Sequence, residues 1–369
     1  MKFSVDKHYF VDPLKKVASA LPNKETIPIL SGILFVADEN GLSMTAGNVQ
    51  VYIRATIDTD NLEINNHGRI VLPGDKVVEI AQKAGADITV EVKGLDVTIK
   101  SGTNKFKLTG IDPEDYPEIP VIDSESISLS AESFKRLIRK TIFAAAVDKN
   151  SAPIFNGIHF NFLDGKVRAT ATDRVRMART EEPILGGSFE SFSTVVSKDS
   201  LQTFLKTAPD SGDIDFYFGE YGFSAEMKGL TFYSRVLEGT YPDLDSLLRK
   251  KFLTIAQFNT RDMISAFENA EIIAREEKHK TKLTISGDSF YIESNTSAGN
   301  ANASVEIFEF SGNEISINFN VKFVIEILKA IDAEKSCISL GTNREPIIFQ
   351  GIDSLHSFYL VLPYLVAAE

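Results

Sequence analysis

Side chains that could support catalysis or bind a metal are isolated along this sequence of 369 residues. Five histidines occur, and no two of them have the spacing of a metal-ligand pair: His8, His67, His159, His279 and His356. Aspartate pairs such as Asp58 and Asp60 could hold a divalent cation in a nucleotide-sugar enzyme, but such pairs are common in acidic loops. No phosphate-binding glycine loop, nucleophile elbow or zinc-protease helix occurs. The sequence therefore predicts no enzyme, no cofactor and no metal site.

Basic side chains on helices are the remaining candidates for chemistry, namely contact with phosphate groups. The net charge of −12, from 39 basic and 51 acidic residues, argues against a nucleic-acid ligand, but it does not say where the charges lie. The acidic residues concentrate in strand and loop segments, although Asp75, Glu79, Asp199 and Glu326 share the helices. A wider set of basic residues predicted to lie on the solvent faces of these helices includes Lys135. The residues predicted to face DNA are Lys24, Lys76, Lys83, Arg139, Lys149, Lys198, Lys206, Lys278 and Lys280.

The composition is that of a folded protein, with 43% apolar and 24% charged residues and no low-complexity tract. No stretch reaches the roughly 18 apolar residues of a membrane helix, and the N-terminus lacks the pattern of a signal peptide. The single cysteine, Cys337, excludes a disulfide within the chain. We therefore expect a cytoplasmic protein without a membrane partner.

An internal repeat organises the chain. The stretch Ala152-Pro-Ile-Phe-Asn-Gly157 follows the similar Ile27-Pro-Ile-Leu-Ser-Gly32 by 125 residues, and Thr170-Ala-Thr172 follows Thr45-Ala-Gly47 by the same offset. The same shift carries Asp115-Tyr-Pro117 onto Thr240-Tyr-Pro242. A fixed period indicates a duplicated domain. Three domains are predicted, with boundaries at 1–121, 122–249 and 250–369.

Each domain is predicted to hold two similar half-units, each consisting of an opening strand, a helix and an antiparallel meander. Thr260 is the candidate N-cap of the fifth helix. Helices are expected at 11–21, 75–84, 134–146, 198–207 and 261–277 and within 319–331. Strands of the first domain are expected at 2–5, 33–37, 41–46, 49–58, 68–73, 87–92, 96–100 and 105–109.

The fold class is therefore α+β, with six half-units whose helices all lie on one side of a continuous sheet. Edge strands of one domain can pair with those of the next, and a closed ring leaves no exposed edge. Three domains that each turn the chain by roughly 60° make half a circle, so two chains in head-to-tail contact would close it. The helices and their basic residues would line the hole.

The sequence resembles a known family, the bacterial sliding clamps, which are the β subunits of DNA polymerase III. The resemblance extends over the entire length of the chain. The order and spacing of the motifs make the resemblance specific. The matching motifs are Met1-Lys-Phe3, Thr26-Ile-Pro-Ile-Leu30, Phe155-Asn-Gly157, Ala171-Thr-Asp-Arg-Val-Arg-Met-Ala178, Gly239-Thr-Tyr-Pro-Asp243, Phe319-Asn-Val321 and Tyr359-Leu-Val-Leu-Pro-Tyr364. The resemblance implies a nucleoid-associated homodimeric ring that encircles duplex DNA and tethers the polymerase as a processivity factor, without catalysis of its own.

The resemblance also implies a hydrophobic cleft between the second and third domains that takes short linear peptides from the polymerase catalytic subunit, the clamp loader and repair polymerases. The matching positions are Phe155, Thr172, Arg174, Val175, Arg176, Met177, Pro242, Leu247, Phe323, Leu360, Leu362, Pro363, Tyr364 and Leu365. Several of these could be core strand residues instead, and for Val175 and Leu360 the two interpretations are balanced. Many family members have Gly-His-Arg in place of Arg174-Val-Arg176, and this chain continues past Leu365.

The dimer contact implied by the resemblance joins an edge strand of the first domain to a helix of the third. Phe106 matches the strand side and is flanked by Lys105 and Lys107, whereas Ile272 and Ile273 match the helix side. A different class of function stays open on the residues alone: a β-rich scaffold that binds peptides through the same cleft and forms no ring. A monomer that is not retained on DNA would favour the scaffold.

Overall fold

The computed structural model describes residues 1–22, 24, 27–85, 87–148, 151–187, 190–247, 251–354 and 356–365. These residues form two compact units. The first contains Met1–Glu132, Ile184–Phe189 and Asp199–Val236, and the second contains Ser133–Pro183, Glu190–Lys198 and Leu237–Glu369. The three domain boundaries predicted from the repeat stay predictions, because each compact unit combines one outer repeat with half of the central repeat.

Six α-helices lie in the described part of the chain, and they alternate with strands. They are α1 (Lys7–Ala18), α2 (Gly74–Lys83), α3 (Ala131–Thr141), α4 (Lys198–Thr207), α5 (Thr260–Ala274) and α6 (Val321–Ala330). The strands of the first repeat are β1 (Lys2–Val5), β2 (Gly32–Asp38), β3 (Gly41–Gly47), β4 (Val51–Ile57), β5 (Leu62–Asn66), β6 (Gly68–Pro73), β7 (Ile88–Lys93), β8 (Asp96–Ser101) and β9 (Asn104–Thr109).

The central and third repeats follow the same order of strands. The central strands are β10 (Ile127–Ser130), β11 (Gly157–Leu163), β12 (Lys166–Thr172), β13 (Arg176–Pro183), β14 (Phe192–Ser197), β15 (Asp213–Phe218), β16 (Gly222–Met227) and β17 (Leu230–Arg235). Those of the third repeat are β18 (Thr254–Asn259), β19 (Lys280–Ser286), β20 (Ser289–Thr296), β21 (Gly299–Glu306), β22 (Glu309–Gly312), β23 (Ile315–Asn320), β24 (Lys335–Leu340), β25 (Ile347–Gly351) and β26 (Ser357–Val361).

The six half-units are confirmed, and they are interlocked by their opening strands. In the first repeat β1 pairs with β7 and β6 pairs with β2, so each opening strand joins the meander of the other half-unit. The central repeat pairs β10 with β15 and β14 with β11, and the third pairs β18 with β24 and β23 with β19. In every repeat the two half-units therefore exchange their opening strands.

Two strand pairings connect neighbouring repeats, which confirms the prediction that edge strands pair across domains. In the first compact unit β4 pairs with β17, and we call this pairing the first joint. In the second compact unit β13 pairs with β26, and we call this pairing the second joint. The joints complete an eight-stranded sheet in the first unit and a nine-stranded sheet in the second.

Each helix buries one apolar face against strands of its own unit, as its periodicity predicts. The equivalent positions Val77, Leu201 and Ile325 are all buried. Phe134 of α3 stacks on Phe160 of β11 with the ring centroids 5.3 Å apart.

Several details of the elements differ from the sequence predictions. The helix predicted at 134–146 spans Ala131–Thr141, and the helices predicted to end at residues 21 and 277 end at Ala18 and Ala274. Helix α1 begins at Lys7 rather than at residue 11, because the Asp6 side chain caps it by accepting a hydrogen bond from the His8 amide at 2.7 Å. The fifth helix is capped by Asn259 and not by Thr260. Strand β5 was not predicted. Lys135, predicted to face solvent, is only 3% exposed, because it lies on the buried stripe of α3.

No helix among the described residues is long and apolar enough to cross a membrane.

Candidate functional site

The turn between β12 and β13 is held in one conformation by its own polar side chains. The Asp173 carboxylate accepts hydrogen bonds from the Val175 and Arg176 amides at 3.0 and 2.9 Å. The Thr172 hydroxyl donates to the Arg176 carbonyl at 2.6 Å and accepts from the Arg174 amide at 3.0 Å. Arg174 has a φ of 74°, a left-handed conformation that is uncommon without glycine. The turn therefore presents Arg174 and Val175 to solvent as a fixed pair.

Arg176 is buried at the start of β13, and its charge is fully matched by neighbours. Its guanidinium lies over the Phe323 ring at 4.2 Å and the Phe143 ring at 5.6 Å. Its Nε donates to Asp173 at 3.0 Å, and its Nη1 pairs with Glu326 of α6. A buried guanidinium requires such pairing, since an unpaired buried charge is strongly destabilising. Arg176 consequently fixes α6 to the turn.

The second joint forms an apolar floor next to this turn. Met177 lies opposite Leu360 in the ladder between β13 and β26, and both side chains are buried. The ladder is extended by the Leu362 amide, which donates to the Val175 carbonyl at 2.8 Å. Val175 is 43% exposed and Leu362 is 37% exposed, so two aliphatic side chains stand beside each other at the surface.

The segment after β26 is fixed at two further points. The Tyr364 amide donates to the Asn318 carbonyl at 2.7 Å, and the Tyr364 hydroxyl donates to the Lys278 carbonyl at 2.9 Å. Pro363 and Tyr364 are half-buried, whereas Leu365 is 72% exposed. The backbone that carries Leu362 and Leu365 is therefore held in place while their side chains stay accessible.

An aromatic cluster lies on the other side of the turn. Tyr241 stacks on His159 with centroids 4.6 Å apart and meets the edge of Phe155 at 6.0 Å. The Arg174 guanidinium lies 5.9 Å from the centroid of the Phe155 ring. The following loop is anchored by an ion pair between Arg179 and Asp245 at 2.6 Å. Pro242 in this loop is exposed and Leu247 is half-buried.

Burial shifts the pKa values of two members of this cluster. It lowers the pKa of His159 to about 4, with a smaller contribution from the charge of Arg179. Burial also raises the pKa of Tyr241, and the nearby Thr172 backbone opposes this only in part. Both rings are therefore neutral at pH 7. The Tyr241 hydroxyl has no hydrogen-bond partner of acceptable geometry among the described residues.

The predicted cleft residues thus fall into a floor and a rim within the second compact unit. Thr172, Arg176, Met177 and Leu360 are buried and belong to the framework. The accessible members, which could contact a ligand, are Phe155, Arg174, Val175, Pro242, Leu247, Phe323, Leu362, Pro363, Tyr364 and Leu365. This surface combines exposed aliphatic groups, half-buried aromatic rings and the exposed Arg174. Such a combination suits the binding of an extended apolar peptide.

Sequence reasoning missed three residues of this surface. Phe143 and Glu326 hold Arg176, and neither belongs to a motif that indicates such a role. Tyr241 lies within Gly239-Thr-Tyr-Pro-Asp243, whose recurrence at the repeat offset could have drawn attention to it.

Most residues predicted to face DNA lie at the surface of their own unit. Lys24, Lys76, Lys83 and Lys206 are exposed in the first unit, and Lys206 lines a cavity of about 460 Å³ with Asp75 and Glu79. In the second unit the exposed residues are Arg139, Lys278 and Lys280, whereas Lys198 is half-buried. Lys149 lies outside the described residues. Lys83 is paired with Glu79 at 2.7 Å.

The residues predicted for the dimer contact lie at the edges of their units. Phe106 is half-buried on β9, an edge strand of the five-stranded sheet, and Lys105 and Lys107 beside it are exposed. Ile272 is 62% exposed on α5, and Ile273 next to it is half-buried. A solvent-exposed isoleucine on a helix is an apolar group available for contact.

Known proteins that are similar to this chain match it along its whole length and all point to the same family. Three profiles of the DNA polymerase III beta subunit match in order, the N-terminal domain at residues 1–120, the central domain at 128–243 and the C-terminal domain at 245–365. The beta sliding clamp of Halalkalibacterium halodurans is 30% identical over 98% of this chain and 99% of its own length. That of Bacillus subtilis is 29% identical over the same shares.

Similarity to solved structures indicates the same family as these sequence relatives. The DNA polymerase sliding clamp from Bacillus subtilis superposes with a TM-score of 0.96 at 28% identity, with 100% of both chains covered. The beta subunit from the DNA polymerase of Streptococcus pyogenes gives 0.94 at 28% identity, covering 99% of this chain and 100% of its own. The chain therefore belongs to the DNA polymerase III beta subunit family, the beta sliding clamps.

Proposed function

We propose that two copies of this chain close into a ring around duplex DNA and that the surface at the second joint tethers polymerases and other partners to the ring. Membership of the family establishes the general function: the chain is a DNA sliding clamp, a processivity factor of replication, and not an enzyme. The ring, the bound peptides and a cytoplasmic, nucleoid-associated location are the proposal.

The unpaired strands support a head-to-tail dimer. Each of the six meanders ends in a strand that is available for pairing outside its half-unit. Four of these strands are used within one chain, at the first joint and at the second joint. The other two, β9 and β21, are edge strands without an outer partner among the described residues. An exposed edge is a template for another strand, so we propose that β9 of one copy pairs with β21 of the next.

Side chains beside these two edges suit such a contact. Phe106 on β9 supplies an aromatic ring, and Ile272 and Ile273 lie at the end of α5, which packs against β21. Lys105 and Lys107 are exposed beside the ring of Phe106, and Glu276 and Glu277 follow α5. An apolar centre with opposite charges at its margin is the usual composition of a specific interface.

Contact with DNA is proposed to depend on charge and not on sequence. Exposed lysines and arginines on the helices can approach phosphate oxygens, which position a protein on DNA but carry no base information. The residues proposed for this role are Lys24, Lys76, Lys83, Arg139, Lys149, Lys198, Lys206, Lys278 and Lys280. Because a closed ring is retained by its topology, each contact can be weak, and the protein can move along the duplex.

The accessible residues at the second joint are proposed to bind short linear peptides from the polymerase III catalytic subunit, the clamp loader and repair polymerases. The observation that carries this proposal is the pair of exposed aliphatic side chains, Val175 and Leu362, on a backbone fixed by hydrogen bonds on both sides. A site whose backbone is fixed before binding loses little conformational entropy when a peptide docks.

Retention on circular DNA tests the ring. The chain, loaded by its clamp loader onto a nicked circular plasmid, should remain bound through gel filtration at a salt concentration that removes ordinary DNA-binding proteins. Cutting the plasmid once should release it. Equal retention on the circular and the linear DNA would contradict encirclement, and a monomer in sedimentation with no retention would favour the peptide-binding scaffold.

A further inference from the structure

Three arginines lie on β13 and in the turn before it, and they differ in their partners. Arg176 and Arg179 are buried, and each pairs with at least one carboxylate of the second compact unit. Arg174 is exposed, and its guanidinium has no carboxylate within ion-pair distance among the described residues. The surface at the second joint therefore carries one arginine whose charge is not balanced by the described part of the chain.

Arg174 has a backbone conformation that its side chain makes costly. Its φ of 74° is left-handed, a region in which a Cβ atom approaches the following carbonyl group, so glycine adopts it at lower cost. The Thr172 hydroxyl holds this conformation by accepting a hydrogen bond from the Arg174 amide at 3.0 Å. The chain thus places an arginine where a glycine would be less strained.

The equivalent turn at the first joint shows that the hydrogen bonds of the turn do not require this conformation. The Asn48 side chain accepts hydrogen bonds from the amides two and three residues later at 2.8 and 3.0 Å, and Asp173 makes the same two contacts in its own turn. Val49, which precedes Arg174 by 125 residues, is not left-handed. Of the two turns, only the one beside the surface proposed to bind peptides holds the strained residue.

The guanidinium of Arg174 lies beside the apolar groups of this surface. It is 5.9 Å from the centroid of the Phe155 ring, at the outer range of a cation–π contact. Val175, the next residue, is 43% exposed. A planar guanidinium near an aromatic ring leaves its N–H groups available to bind a carboxylate through two parallel hydrogen bonds. The position suits a ligand that carries an apolar group and a carboxylate close together.

We propose that Arg174 is a specificity determinant, which selects peptides that carry a carboxylate next to the apolar group in contact with Val175. The carboxylate is that of an Asp or Glu side chain or of the peptide's C-terminus, since both present the same pair of oxygens. The strain of the left-handed residue is then offset by binding and not by folding, as is common for strained residues at functional sites. This inference rests on the proposed peptide binding at the second joint.

Fluorescence anisotropy with the full chain tests the proposal. The parent probe is a fluorescein-labelled polymerase-tail peptide, the last 20 residues of the polymerase III catalytic subunit from the same source. Three further probes have every Asp and Glu replaced by Asn and Gln, an amidated C-terminus, or both changes. We expect the unaltered chain to bind the probe with both changes about fivefold more weakly than the parent. The single change that reproduces this loss identifies the carboxylate as a side chain or as the C-terminus.

Substitutions of Arg174 separate recognition from a role in the fold. Arg174→Gly should lose the preference for the parent probe and melt at the same or a higher temperature, because glycine adopts the positive φ without steric cost. Arg174→Ala should lose the preference equally and melt at a lower temperature than Arg174→Gly, because it keeps the Cβ atom. The control Arg261→Ala removes an exposed arginine in the first turn of α5, outside this surface, and should keep the preference.

The outcomes that overturn the proposal are distinct from a failure of the proposed function. Equal binding of all four probes by the unaltered chain overturns it, and so does an Arg174→Gly variant that keeps the preference. A melting temperature that falls in Arg174→Gly also overturns it, because the arginine would then serve the fold. An unaltered chain that binds none of the probes contradicts the proposed function instead.

Discussion

Two tyrosines one repeat apart have opposite hydrogen-bonding states, and this difference predicts unequal effects of the same substitution. The buried Tyr116 hydroxyl donates to the Thr45 carbonyl at 3.1 Å and approaches the Gly32 carbonyl at 3.3 Å. Tyr241, which follows Tyr116 by 125 residues, has a buried hydroxyl without a partner of acceptable geometry among the described residues. Replacing each tyrosine by phenylalanine removes only the hydroxyl and keeps the ring.

For Tyr116→Phe we expect a loss of about 1–2 kcal/mol, the usual range when a buried hydrogen bond is removed and its acceptor is left unsatisfied. A loss of this size makes local opening roughly 5–30 times more frequent. For Tyr241→Phe we expect a clearly smaller effect, because its hydroxyl has no hydrogen-bond partner of acceptable geometry among the described residues and only the Thr172 backbone lies near it.

Amide hydrogen exchange followed by mass spectrometry measures these effects locally, which is needed because a chain of several repeats need not unfold in one step. Tyr116→Phe should speed exchange in peptides that cover β2 and β3. Tyr241→Phe should change exchange in β11 and β12 clearly less and serves as the matched control. Equal acceleration in both variants, or none in Tyr116→Phe, would show that the hydroxyl bonds do not determine local stability.

Four further predictions concern the surfaces and the response to pH. Ile272→Asp should convert the dimer into a folded monomer in sedimentation, because the side chain is 62% exposed in the single chain and has no core role; a persistent dimer would disprove the proposed contact. Removing the residues from Leu362 onward should abolish binding of the polymerase-tail peptide and leave the dimer intact; unchanged peptide affinity would refute the site. Lys76→Ala should reduce the salt dependence of DNA binding by roughly one phosphate contact, with a slope change of about 0.9. Lys83→Ala should do less, since its ammonium group lies 2.7 Å from a carboxylate; equal effects would mean that the ion pair does not compete with DNA. Stability should fall as the pH is lowered from about 6.5 to 4, because the unfolded chain protonates His159 near 6.5 whereas its pKa in the folded chain is about 4; His159→Gln should weaken this dependence, measured as the melting temperature at pH 7 and pH 5, and an identical profile would exclude His159 as its source.

The half-units could be predicted because the same order of strand, helix and meander, with the same apolar periodicity, occurs six times in the sequence. Periodicity placed α2 and α4 to within one residue, and α4 was predicted with the bounds that the structure has. The exchange of opening strands could not be predicted, since both half-units of a repeat carry similar strands and either pairing satisfies the apolar pattern. Strand β5 was missed because only Leu62 and Ile64 are apolar within it and all of its side chains are at least partly exposed.

The surface at the second joint was located through the resemblance and not through composition. The predicted cleft residues around the turn at 172–176 lie near one another, and the turn is held by its own Thr172 and Asp173, but the contact that joins it to α6 comes from Glu326, far away in the sequence. Glu326 is one of the acidic residues that share the basic helices, and the structure shows it paired with Arg176. Lys135 was assigned to solvent because lysine usually lies there, yet its position on α3 belongs to the buried stripe.

The exchange of opening strands also determines when each strand can find its partner while the chain is being synthesised. The first four-residue strand, β1, finds its partner β7 only where Val5 meets Ile88, so a growing polypeptide must lengthen by more than eighty residues before that strand is held on this side. Until then only the other side of β1 can be paired, by β5, and the backbone groups that face β7 depend on water or on a chaperone. A product that stops before β15 would likewise leave β10 without that strand as a neighbour, and such fragments should be recovered as aggregates or degraded and not as smaller folded clamps.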